Sequence, residues 1–273
     1  MSRPYRLLMI RHGQSESNIV QSAQKVNSQF EYEELINSRV DWKQRLSDKG
    51  RSQAEIARAN LSRIYPNGLD YFNSFYVSPF IRARETASIL SAHNFNIRWN
   101  IEDRLSERIW GIYGTVSRQE QRSHFPLTSR LANDDPWYIR YDGGESLFDV
   151  YNRFKNFEGK LWRENSSQNV LLVAHKQLIQ AACYELEKMS PEEWDDIWNN
   201  EVYNFTNLGA VEYSRVNPHD GNDVRDRFAW RRVFSLADID NSPLDGEWVE
   251  FTAGKTFSSQ DLQNQIDEYP PLI

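Results

Sequence analysis

Two short runs constrain the fold of this chain more than any other feature. Leu7-Leu8-Met9-Ile10 and Val170-Leu171-Leu172-Val173-Ala174 are apolar at every position. A half-exposed strand would alternate apolar and polar residues instead. A strand apolar on both faces must be covered on both, which suits a parallel sheet between two helical layers. Phe72 to Val77 is a third, less regular strand candidate.

Helical patterns lie between these runs. Ser47 to Ile64 carries Ala54, Ile56, Ala57, Leu61 and Ile64 near helical spacing. Glu145 to Trp162 carries a clearer stripe: Leu147, Val150, Tyr151, Phe154, Phe157 and Leu161. Ser190-Pro191-Glu192-Glu193 has the cap, proline and glutamate of a helix start. Ser78-Pro79 offers the same cap ahead of a helix through Leu90. Strands alternating with helices predict a three-layer α/β/α sandwich with a mostly parallel central sheet. Residues 115–144 are polar and read as an inserted loop-and-helix lid. Gly209 to Arg215 and Phe228 to Phe234 read as strands of a C-terminal β extension, joined by a polar turn over 217–227. The end, Tyr269-Pro270-Pro271, reads as extended or frayed. No linker divides the chain, so 1–273 is expected to be one domain, with a core of about 5–215 and an extension of about 216–273.

Composition limits the partners. The 273 residues carry a net charge of −7, whereas nucleic-acid binders and proteins lying on anionic membranes are normally basic. No nucleic-acid partner is therefore expected, and an anionic ligand would need a local cluster of cations. No apolar stretch approaches the roughly 20 residues of a membrane span, and Met1 to Tyr5 lacks the apolar run of a signal peptide. The single cysteine, Cys183, lies in the apolar run Gln180-Ala181-Ala182-Cys183 and reads as an inert core residue. The cytoplasm is the default expectation. Of the nine Trp, most are expected to pack in the core and some to cover a cleft or a subunit contact, so a homodimer stays open.

The chemistry begins at Ile10-Arg11-His12-Gly13-Gln14-Ser15-Glu16-Ser17-Asn18, directly after the first run. In open α/β sheets, ligands sit beyond the carboxyl ends of the strands. Arg11 and His12 would then stand at the crevice mouth. Gly13 would let the backbone turn sharply and approach a ligand, and a following helix would aim free N–H groups at an anion. The same residues also fit a structural histidine beside a surface arginine.

Further segments separate these readings. Arg11-His12-Gly13 with Ser15 and Asn18 resembles the signature of the histidine phosphatase superfamily, the phosphoglycerate-mutase-like fold. Leu46-Ser47-x-x-Gly50-x-x-Gln53-Ala54 is similar to the family's early helix start. Ser78-x-x-x-Arg82-Ala83-x-x-Thr86-Ala87 is similar to its second phosphate-binding block. Leu105-Ser106-Glu107 with Gly111 and Gly114 resembles its acid-bearing loop; Gly143-Gly144-Glu145-Ser146 leads into its long helix; Val173-Ala174-His175 ends its second central strand. The resemblance covers about residues 5 to 215. Within the family, Ser78 to Thr86 and the Gly-Glu-Ser before Asp149-Val150-Tyr151-x-Arg153 are closest to fungal broad-range acid phosphatases and plant phosphoglycerate-mutase-like proteins.

The resemblance implies a phosphomonoester hydrolase acting on a small phosphorylated substrate without metal or cofactor. It makes His12 the nucleophile that becomes a phosphohistidine, and Glu107 the proton donor. Arg11, Asn18, Arg82 and His175 would bind phosphate. Ser15, Lys176 and Arg108 are candidates for the substrate rim, with Arg84 and Arg108 at or near the surface. Arg82 could otherwise pair with Glu85, and Glu107 with Arg104 or Arg108. His93, His124 and His219 match no family position and read as structural or exposed. Trp137, Tyr138, Arg140 and Tyr141 would roof the pocket.

The chain departs from the pattern at Lys176, where the family usually has glycine. A positive φ there would strain lysine by roughly 1–2 kcal/mol. Lys176 would then either add a cation to the site or signal a displaced His175 and weak catalysis. Two alternatives accompany hydrolysis: a mutase, disfavoured by the Gly114-Thr115-Val116-Ser117-Arg118 stretch, and a catalytically weak phospholigand binder. Ala253-Gly254-Lys255-Thr256 resembles the end of a nucleotide-binding loop, but Val249 stands where its first glycine belongs, so an ordinary turn is expected.

Overall fold

The computed structural model describes residues 3–26, 28, 30–94, 96–116, 118–190, 193–194, 201–237, 246–254 and 256–272. The elements begin with β1 (Arg6–Arg11), α1 (Glu16–Lys25), α2 (Glu33–Asn37), α3 (Asp48–Ile64), β2 (Ser74–Val77), α4 (Ile81–Leu90) and β3 (Trp99–Ile101). They continue with α5 (Arg118–His124), α6 (Pro126–Asp134), α7 (Leu147–Glu164), β4 (Asn169–Ala174), α8 (Lys176–Glu187), β5 (Gly209–Ser214), β6 (Trp230–Ser235) and β7 (Val249–Glu250). A last helix, Ser259–Asp267, has no buried residue.

The strands form one seven-stranded sheet in the order β3-β2-β4-β1-β5-β6-β7. The first four are mutually parallel, and β5, β6 and β7 extend the sheet by antiparallel pairing. The apolar runs behave as their composition requires. Leu7 and Met9 enter one core with Val170, Leu172 and Ala174, beneath α7 and α8. Leu8 and Ile10 enter the opposite core with Leu171 and Val173, beneath α3 and α4. Successive side chains of one strand thus feed two cores, giving the expected three layers. Phe154 and Phe157 are fully buried on α7, and each contributes roughly 1.5–3 kcal/mol by leaving water.

Helix starts follow local chemistry. The Ser47 side chain accepts the Gly50 N–H to cap α3, and Ser146 forms a capping box with Asp149 ahead of α7. Removing such a cap costs about 1 kcal/mol. Ser190 and Glu193 exchange the hydrogen bonds expected of a helix start, while Pro191 and Glu192 lie outside the described residues. Ser78 differs from expectation. It does not cap α4, which begins at Ile81 with Phe80 at the cap position. The strand β3 and the short helices α5 and α6 had no clear signal in the sequence.

The inserted region also corrects an expectation. Trp137 does not roof a pocket: it is buried in the core beneath α7 and α8, with Tyr184 and Trp194 at ring distances of 4.4 and 4.7 Å. Arg140 pairs with Asp149, and Tyr141 stacks on Tyr113 at 4.5 Å. Gly254 takes φ +81°, and Lys255 of the nucleotide-loop look-alike lies outside the described residues. The helix after it, which the sequence did not announce, is capped by Ser258. Among the described residues, no helix is long and apolar enough to cross a membrane.

Candidate active site

Parallel register assembles the site. Arg11 at the end of β1 pairs with Ala174 at the end of β4, and the His12 N–H donates to the Ala174 carbonyl at 3.1 Å. His12 and His175 therefore emerge side by side, with ring centroids 5.0 Å apart. The β2 end lies next to them, since the Ser78 N–H donates to the Val173 carbonyl at 3.0 Å. From there the chain turns into α4 and delivers Arg82. The sheet thus brings His12, His175, Arg11 and Arg82 to one edge.

Each histidine is held by one nitrogen. His12 Nδ1 lies 2.7 Å from the Gly13 carbonyl. A carbonyl only accepts, so Nδ1 carries the proton and Nε2 keeps its lone pair. Burial, then the charges of Arg82 and Arg11, push the His12 pKa well below its ordinary value, which keeps the ring neutral. His175 Nε2 is 2.7 Å from Ser78 Oγ, and Nδ1 is buried with no hydrogen-bond partner among the described residues. When the Ser78 hydroxyl donates to Nε2, Nδ1–H becomes a free donor inside the site. Burial and Arg82 push the His175 pKa down as well.

The cations are arranged differently from one another. Arg11 Nη1 donates to the Phe205 carbonyl at 2.8 Å, and its Nε is buried without a partner among the described residues. Burial lowers its pKa to about 10. Arg82 does not pair with Glu85, which binds Arg45 and Arg51. It takes Asp41 instead: Nη1 meets Oδ1 at 3.0 Å and Nη2 meets Oδ2 at 3.2 Å, and Nη1 also donates to the Asp41 carbonyl at 2.8 Å. Glu107 does not pair with Arg104 either; its Oε1 accepts the Arg108 backbone N–H at 2.9 Å. Its Oε2 is 4.0 Å from His175 Nδ1. Burial raises the Glu107 pKa against the opposing pull of that N–H, Arg82 and Arg11.

Several expectations about the rim change. Ser15 is fully buried and caps α1, so its hydroxyl is committed to the fold. Asn18 Oδ1 accepts from Ser15 N and Asn207 Nδ2, which leaves its own amide hydrogens as donors. Arg108 is neither at the surface nor at the rim. It is 3% exposed, donates to the Glu145 and Ile139 carbonyls, and lies between Trp110 and Tyr141. Gly13 serves packing more than ligand approach: a Cβ there would stand 2.6 Å from the Gly50 carbonyl. Lys176 opens α8 in helical conformation, so the suspected strain does not arise, and His175 keeps its place beside His12. Its ammonium bonds Asn204 Oδ1. His93, His124 and His219 are exposed.

The acid-bearing loop is clamped by glycines. Gly111 has φ +57°, and a Cβ there would meet the Asp142 carbonyl at 2.0 Å. The Glu145 N–H reaches the Ile109 carbonyl at 2.7 Å across the same contact. Asp41, Asn204 and Asn207 were missed by sequence reasoning. None follows an apolar period or a motif; they enter the site only through the folded path of their loops. Asn207 Nδ2 holds both the His12 carbonyl and Asn18 Oδ1, each at 3.1 Å.

An unprotonated imidazole nitrogen among guanidinium groups, with a carboxyl of raised pKa nearby, can take up a phosphoryl group and protonate its leaving oxygen. The chain is also similar to proteins of known kind. Phosphoserine phosphatase 1 of Hydrogenobacter thermophilus is 29% identical over 171 residues, covering 62% of this chain and 70% of that protein. A phosphoglycerate mutase-like protein of Arabidopsis thaliana is 24% identical over 99% of this chain and 95% of its own length. A mycobacterial glucosyl-3-phosphoglycerate phosphatase of known structure is 25% identical, with a TM-score of 0.59 over 84% of this chain and 97% of that one. Residues 7–215 match the histidine phosphatase superfamily (branch 1), and the chain belongs to that family.

Proposed function

We propose that this phosphatase hydrolyses small phosphomonoesters in two displacements on His12. The observation that carries this reading is the buried His12 ring, kept neutral by its surroundings, with Nδ1 held by the Gly13 carbonyl so that Nε2 keeps its lone pair. Nε2 attacks phosphorus while the ester oxygen departs and takes the Glu107 proton. Glu107, now a carboxylate, removes a proton from water as the water attacks the phosphohistidine. Orthophosphate leaves, His12 is restored, and Glu107 has its proton back. Arg11, Arg82, the Asn18 amide and His175 Nδ1–H neutralise the equatorial oxygens, where most of the charge lies. The relatives are named for phosphoserine and glucosyl-3-phosphoglycerate, which supports a small phosphorylated metabolite as the substrate.

Release of phosphate from para-nitrophenyl phosphate tests this with wild type and His12→Ala side by side. The expected loss in the variant is at least about 10³-fold. An acid-labile, alkali-stable phosphoryl adduct should be trapped on wild type alone. Comparable turnover in His12→Ala would overturn the assignment.

A further inference from the structure

Most of the site's second wall comes from one short segment, residues 204–207, between Tyr203 and the start of β5. Asn204 Oδ1 holds the Lys176 ammonium. The next residue, Phe205, holds Arg11 Nη1 with its carbonyl at 2.8 Å. Asn207 holds the His12 carbonyl and Asn18 Oδ1. Two cations are therefore tethered at adjacent residues, and both acceptors are neutral.

That neutrality matters. A cation held by a carboxylate has its charge largely cancelled; one held by an amide or backbone carbonyl keeps it for a ligand. Lys176 is half-buried; burial first, then the neighbouring Arg11 and Lys25 charges, push its pKa down, with Glu107 pulling the other way. Glu107 itself is biased toward its neutral, protonated form by burial. The opposite wall differs, because there Arg82 carries the Asp41 carboxylate. Positive charge in excess of what one phosphoryl group requires is thus gathered on the Lys176 side, in a chain of net charge −7.

Given the phosphoryl pocket proposed above, on which this rests, we infer that Lys176, held by Asn204 beside Arg11, forms a subsite for a second anionic group of the substrate. The substrate class is a phosphomonoester that bears a further carboxylate or phosphate close to the ester oxygen. Lys176 is the specificity-determining residue. The phosphoryl group sits on Arg11 and Arg82, and the second anion exchanges with Asn204 for the Lys176 ammonium.

Three phosphomonoesters of similar size test this: ethyl phosphate, phosphoglycolate and ethylene glycol bisphosphate. Wild type should prefer one or both of the dianion-plus-anion esters to ethyl phosphate by about tenfold in kcat/KM, mainly through KM. Whichever of the two is preferred identifies the second group as carboxylate or phosphate. Lys176→Met should collapse that ratio toward one. Asn204→Asp should do the same with the lysine still in place, because a carboxylate then cancels its charge. A ratio near one in wild type, or a ratio that survives both substitutions, overturns the inference. Failure of the underlying reading looks different: wild type would then hydrolyse none of the three esters and bind no orthophosphate by calorimetry.

Discussion

Buried charge is treated in opposite ways at two ends of this molecule. On the antiparallel side of the sheet, Glu212 is 0% exposed and accepts from Arg6 at 3.2 Å, Tyr65 at 2.8 Å and Arg232 at 2.8 Å. Glu187 likewise takes Arg231, Tyr203 and Tyr213. Both carboxylates are matched by donors within the protein. At the carboxyl ends of β1 and β4 the same residue types are left incomplete. Arg11 Nε and His175 Nδ1 are buried with no partner among the described residues, and Arg11 and Lys176 rest on neutral oxygens. Closed networks hold the fold; open ones await a ligand. An unpaired buried polar group costs about 1–3 kcal/mol, so the open end is less stable than it need be until an anion arrives.

Substitutions at the two ends should therefore separate activity from stability. The largest effect is expected from Glu107→Gln, which removes the proposed proton donor and should lower kcat about 10²–10³-fold with little change in melting temperature. Its pH signature is specific. Glu107 acts while protonated, and its raised pKa extends that form to higher pH before activity falls. His12 acts while neutral, and its lowered pKa keeps it neutral toward lower pH. Wild-type kcat/KM should peak between these limits, on the acid side, and the alkaline fall should vanish in Glu107→Gln. Its persistence would assign that limb to another group.

Glu212→Ala should reverse the pattern. Leaving Arg232 and Arg6 half-buried without their acceptor should cost about 3 kcal/mol of stability, the low end for a broken buried pair, read by chemical denaturation. The kcat of the molecules that remain folded should change little, and a parallel loss of kcat would erase the contrast between the two ends. The smallest effect is expected at the Arg82–Asp41 pair, which is closed inside the open region. Asp41 is 53% exposed and occupies the Arg82 fork that a phosphate would use. Asp41→Asn should lower KM for para-nitrophenyl phosphate about threefold, the scale of a half-exposed ion pair. An unchanged or raised KM would show that Asp41 supports Arg82 instead of competing for it.

The two ends also differ in how well the sequence discloses them. Leu7 to Ile10 and Val170 to Ala174 announce their strands, because full burial leaves no polar position. Ser47 and Ser146 announce their helices, because a cap is local chemistry. His12, Arg11, Arg82 and His175 meet at one edge as the motif order implies. What stays hidden depends on contacts distant in the chain. Arg108 reads as a surface charge until the Ile139 and Glu145 carbonyls converge on it. Trp137 reads as a roof until α8 supplies Tyr184 for it to pack against. Asp41 and Asn204 belong to no periodic element, and their roles exist only after the loops are placed.

The glycine contact beneath the acid-bearing loop has a consequence for how such a protein can diversify. The Ile112 N–H donates to the Asp142 carbonyl at 2.9 Å, so the chain leaves for its insertion and returns from it at a single point. The excursion between them is a cassette with a fixed socket. Its outer part, up to about Asp134, can be exchanged while Gly111, Gly143 and Gly144 hold the loop that carries Glu107; Trp137 in the core and the Ile139 carbonyl on Arg108 must stay. A cassette grafted from a relative onto this socket should change which esters are accepted and leave the order of bond making and breaking as it was.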